Sequence, residues 1–130
     1  MKKLDWRPAF LLVAALLLVA CAGMTLVQTV DRGIKTVDAL KATVPELVAS
    51  GDLTEQDASK TLRALDEATE RLVQARHFAV IADGENAEIT YESGIAVLRA
   101  LRDTVENERL KQDIGRAVAA LTFASVVSGE

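Results

Sequence analysis

From residue 58 onward, apolar side chains return at alternating intervals of three and four: Ala58, Leu62, Leu65, Ala68, Leu72, Ala75, Ala79 and Ala82. An α-helix turns once every 3.6 residues, so this spacing puts all eight along one face, whereas a strand would need period two. The stripe is narrow and rich in alanine, which lets a second helix approach closely. A chain with such a seam must bury it against other helices.

The neighbouring segments supply them. Val27, Val30, Ile34, Val37, Leu40, Val44 and Leu47 mark one face of an earlier helix. Pro45 interrupts it, and because proline disfavours helical geometry at the residue before it, the helix is expected to kink or stop there. Gly51 is the expected terminator. Asp52 with Glu55, and Thr54 with Asp57, offer two capping pairs for the helix that follows, which should run to about Ala82. A short turn through Gly51 and Asp52 makes these two helices an antiparallel hairpin. In "DGENAE" Gly84 is expected to end the second helix and Asn86 to cap the third, whose face is Ile89, Tyr91, Ile95, Leu98, Leu101 and Val105. Leu110, Ile114, Val118 and Leu121 continue a helical pattern to about Val127. Asn107 either caps a fourth helix or lies in an exposed turn of one long helix. The expected fold is all-α: an up-down antiparallel bundle of three or four helices. The similar fragments "TVDALKAT", "TLRALDEAT" and "VLRALRDT" recur at unequal spacing, which excludes a fixed-period array.

Composition agrees. Aromatic residues are 4% of the chain, while the straight-chain and alanine side chains that favour helices recur throughout. Of 15 basic and 19 acidic residues, Lys2, Lys3, Arg7 and Asp5 precede the first apolar run; the other 12 and 18 leave the body a balance of −6. An acidic body is repelled by a phosphate backbone, so no nucleic-acid partner is expected. With one cysteine, Cys21, the chain can close no internal disulfide and build no thiolate zinc site.

That cysteine ends a different kind of segment. Lys2, Lys3 and Arg7 precede an uninterrupted apolar run over residues 9–19, the layout of a signal peptide. Leu18, Val19, Ala20 and Cys21 then resemble the lipobox of bacterial lipoprotein precursors, position by position. The resemblance implies cleavage after Ala20 and a diacylglycerol thioether on Cys21. Residues 1–20 would be a signal and 21–130 a helical periplasmic domain. Ala22, where aspartate would stand for retention at the inner membrane, implies transfer to the outer membrane. The body resembles small helical lipoproteins of bacterial and phage or prophage gene sets, through Gly51 to Ala58 and Leu65 to Ala68. The alternative is an uncleaved inner-membrane anchor, with residues 9–30 as one transmembrane helix, Trp6 and Arg7 at the interface, and an external helical domain acting as an accessory subunit.

Nothing in the sequence carries a catalytic signature. His77 is the sole histidine and has no HxxxH or HxxE partner spacing. Ser93 precedes Gly94 without a nucleophile elbow, and no phosphate loop or dinucleotide fingerprint is present. Glu67 with Arg71 and Arg99 with Asp103 are spaced as supporting ion pairs on solvated helix faces. No enzyme activity, small-molecule substrate, metal or cofactor is expected beyond the covalent lipid on Cys21. "FAVIA" and "LTFASVV" are more apolar than exposed helix ends need to be. They either pack on one another or form a partner or self-association surface, with Phe78, Val80, Ile81, Phe123, Val126 and Val127 as its candidate residues. The expected function is that of a membrane-tethered structural or protein-interaction module.

Overall fold

The computed structural model describes residues 25–129, and the side chains of residues 25–122. They form four helices: α1 (Leu26–Ala49), α2 (Glu55–Val80), α3 (Gly84–Thr104) and α4 (Glu108–Gly129). Each runs antiparallel to the one before it. Arg76 meets Asp31 and Lys41 meets Asp66 between α1 and α2, at 2.7 and 2.9 Å. Of three helices or four, the structure has four, because Asn107 caps α4. Its side-chain carbonyl accepts the Leu110 N–H at 2.9 Å, and its amide donates to the Asp52 carbonyl, tying two turns together.

The capping chemistry differs from expectation at three places. Helix α1 does not stop at Pro45 but runs to Ala49. A proline inside a helix costs about 3 kcal/mol, yet Val44 and Leu47 beside it are completely buried, each worth about 1.5–3 kcal/mol. Pro45 itself faces water. At the end of α1, Gly51 (φ +81°) takes the left-handed conformation as expected. Its N–H reaches the Val48 carbonyl and the Asp52 N–H reaches that of Leu47. Helix α2 is capped by Thr54, whose hydroxyl accepts the Asp57 N–H at 3.1 Å, and not by Asp52, whose carboxylate accepts the Ser50 hydroxyl instead. Its end uses Ala82, not Gly84, as the left-handed residue (φ +62°), with Asp83 N–H donating to the Phe78 carbonyl at 2.8 Å. Alanine there costs about 1–2 kcal/mol that glycine would not. Gly84 is free to open α3, which is capped by Asp83 rather than Asn86.

One layer crosses all four helices. Gly33 on α1, Leu72 on α2, Tyr91 and Gly94 on α3 and Leu121 on α4 converge there, all buried. Tyr91 is the largest fully buried side chain, and its hydroxyl donates to the Leu121 carbonyl at 3.0 Å. Gly33 makes room for Tyr91 and Leu121, and Gly94 for Leu72. A Cβ on Gly33 would stand 3.2 Å from Leu121 Cδ2 and 3.5 Å from Tyr91 Cε1; one on Gly94 would stand 3.1 Å from Leu72 Cδ2 and 3.2 Å from its Cγ. Gly115 is different, since its Cβ would meet only Arg102 Cδ, at 3.6 Å.

Gly94 and Gly115 therefore respond oppositely to alanine. Gly115→Ala should gain about 1 kcal/mol from helix propensity alone. Gly94→Ala gains the same propensity but drives a methyl into Leu72, which is fully buried and has nowhere to move. Overpacking of this kind costs about 1–3 kcal/mol, so the net change should be destabilising by about 1 kcal/mol. Urea midpoints of the two variants against the parent check the signs.

Candidate functional site

The up-down order collects four chain positions at one end of the bundle. There α1 begins, α2 ends, α3 begins and α4 ends, while the turns at residues 50–54 and 105–107 form the opposite end. The level of the ends is fixed by contacts along the helices: Asp31 stands opposite Arg76, and Gly33 opposite Tyr91 and Leu121.

Entry into this end is built by Thr25. Its backbone is extended (φ −68°, ψ 155°), its hydroxyl accepts the Gln28 N–H, and the Gln28 side chain accepts the Thr25 N–H in return, at 3.2 and 3.1 Å. Such a reciprocal box satisfies two of the donors a helix start leaves free. Helix α1 thus starts at Leu26, inside the stretch 9–30. Thr29 and Val30, the first buried residues of α1, already belong to the bundle interior.

The candidate surface residues fall into two groups. Phe78 is half-buried, with its ring tilted against that of His77, while Val80 and Ile81 are each 57% exposed. Phe123, Val126 and Val127 lie on α4, and their side chains are outside the described set. Two further exposed apolar residues escaped the sequence reading. Ile89, expected on the buried face of α3, is 60% exposed, and Val73 on α2 is 50% exposed. Period alone misplaces Ile89 because Ala87 and Tyr91, both buried, take the inward positions on either side of it. Leu18, Val19, Ala20 and Cys21 are outside the described residues.

The polar groups are arranged as surface ion pairs. Glu67 pairs with Arg71 at 2.8 Å as expected, and Arg71 also donates to Ser93 across the α2–α3 boundary. Arg99 does not take Asp103. It reaches Thr122 on α4 at 3.3 Å, and Asp103 meets Arg102 instead. Exposed pairs of this kind are worth about 0–1 kcal/mol each. His77 is exposed near the end of α2. Among the described residues no cluster of metal-ligating side chains occurs, and no helix is long and apolar enough to cross a membrane.

Burial pushes the Tyr91 phenol up from 10.0 to about 12. The folded state thus favours the neutral phenol. Its stabilisation is fully present below pH 10 and is lost as pH rises from 10 through 12, a loss on the order of 2–3 kcal/mol at the upper end. As Tyr91 is the sole tyrosine, phenolate absorbance reports it alone. The native chain should titrate near 12 and the urea-unfolded chain near 10.

Scanned against protein-family models the chain matches none, and searches of curated proteins and of solved structures find no match.

Proposed function

We propose that this protein is a non-catalytic helical module tethered to a membrane of the cell envelope through lipid on Cys21, with cleavage after Ala20, and that it serves as a structural or protein-interaction element facing the periplasm. The observation that carries the reading is the capping box at Thr25. A transmembrane helix over residues 9–30 needs those residues in one continuous helix. With Thr25 extended and capping α1, only residues 9–24 remain apolar and unbroken, 16 residues or about 24 Å of helix. A hydrocarbon core is about 30 Å thick. Thr29 and Val30 are committed to the bundle interior, where lipid cannot reach them. The apolar character of the stretch that follows Cys21 thus has, from Thr29 onward, a purpose other than spanning: it fills the first turns of the bundle core.

A lipid anchor needs no span. Each buried methylene contributes about 0.8 kcal/mol, so the two chains of one diacylglycerol already hold a protein durably. The ion pairs on the bundle surface read as solvated helix faces, and the opposite end, with Asp52, Glu55, Asp57, Glu106 and Glu108, offers an acidic surface to a soluble partner. Feeding expressing cells a labelled fatty acid tests the tether. Label should enter the wild-type chain, and an unlabelled chain recovered from the membrane fraction would contradict the reading.

A further inference from the structure

Exposed apolar residues are not spread over this bundle. Among the described residues the four large ones, Val73, Val80, Ile81 and Ile89, all stand near the end where α1 begins. Val80 and Ile81 are at the terminus of α2, Val73 lies two turns back from it, and Ile89 five residues into α3. At 1.5 Å per residue, all four fall within about 11 Å of that end. The opposite end carries carboxylates in both its turns and no exposed large apolar side chain among the described residues. Leu26 and Val27, in the first turn of α1, add partly exposed apolar surface at the same end.

Resting on the reading of Cys21 as the anchor, the length of chain decides what covers this end. Four peptide steps separate Cys21 from Thr25, and a residue spans at most about 3.6 Å, so the Thr25 backbone lies within about 14 Å of that of the lipidated cysteine. No linker of that length holds a bundle away from a bilayer. We propose that the end itself is seated in the bilayer interface, with Val80 and Ile81 inserted at the boundary of headgroups and acyl chains and Ile89 and Val73 at headgroup level. The lipid contact is apolar rather than electrostatic. Asp83, Glu85 and Glu88 flank the α2–α3 turn, and Arg76, the nearest cation on α2, is held by Asp31. A zwitterionic surface therefore suits this end better than an anionic one. The bundle stands upright on the membrane and presents its acidic turns about 39 Å away, the length of the 26-residue α2.

The test uses the full chain, purified from membranes and reconstituted into phosphatidylcholine vesicles. The only native tryptophan, Trp6, leaves with residues 1–20, and Trp6→Phe clears it from any uncut chain as well; Ile81→Trp or Glu106→Trp then places one probe at either end. With brominated acyl chains in the vesicles, the Ile81→Trp emission should fall roughly two-fold and the Glu106→Trp emission should not change. Unchanged helical circular dichroism and thermal midpoint establish that both variants fold. If the protein floats with the vesicles but neither probe is quenched, the seated end is wrong and the anchor stands. Shielding of Ile81→Trp from aqueous acrylamide without quenching by bromolipid means that protein covers this end, which also overturns the proposal. Failure of the wild-type chain to float removes the anchor and this inference together.

Discussion

Tyr91→Ala should destabilise the bundle by about 3–5 kcal/mol, the range for deleting a large aromatic side chain from a core. The upper part of that range is expected here for a structural reason. A cavity costs less when neighbours can collapse into it, but Gly33, which faces the Tyr91 ring, has no side chain to offer. Leu72 and Leu121 are themselves buried, packed over Gly94 and Gly33 with little room to shift. Because the layer draws on all four helices, its loss is felt at several helix contacts at once. A small domain is stable by about 5–15 kcal/mol, so this single change removes a large fraction of the total. Tyr91→Phe keeps the ring and loses only the hydrogen bond to the Leu121 carbonyl, a loss of about 0.5–1.5 kcal/mol. Urea unfolding followed by circular dichroism measures both. The midpoint should fall with the slope unchanged, since the surface exposed on unfolding hardly alters.

Cys21→Ser should abolish acylation outright and leave the signal uncut. Serine offers no thiolate, and the thiolate is the nucleophile that a thioether needs. The resemblance to lipoprotein precursors implies that cleavage after Ala20 follows lipid attachment, so the variant should accumulate as the longer precursor, held in the membrane only by its apolar residues 9–24. Fatty-acid incorporation should drop to background, and the band on a denaturing gel should move to higher mass. An uncleaved anchor predicts the reverse: the substitution would be without effect, because Cys21 would be one small apolar residue among many.

Helix content, the antiparallel hairpin and most of the core were legible in the sequence, because a 3.6-residue period reports directly which side chains face inward. Val30, Val37, Leu40, Val44 and Leu47 on α1 and Leu65, Ala68, Leu72 and Ala75 on α2 are buried as the period requires. The helix ends were less legible. Ala82 in a left-handed conformation and a proline within α1 are local costs that tertiary packing offsets, and local propensity argues against both. The Gly33–Tyr91–Gly94 layer could have been suspected from glycines inside helical patterns, but only contacts between helices separate Gly94, where Leu72 fills the space, from Gly115, where little does. Of the candidate surface, Val80 and Ile81 stood out as apolar residues at a helix end. Ile89 did not, because the helical period places it on the buried face, which Ala87 and Tyr91 occupy instead. That all four exposed apolar residues share one end is a property of the up-down topology, and no single helix displays it.

The most direct measurement of the central claim is the intact mass of the full-length gene product extracted from membranes with detergent. A lipid-anchored module predicts a chain beginning at Cys21, lacking residues 1–20 and heavier than its amino acids by a diacylglycerol and any further acyl group. A mass equal to that of all 130 residues with no adduct would contradict it.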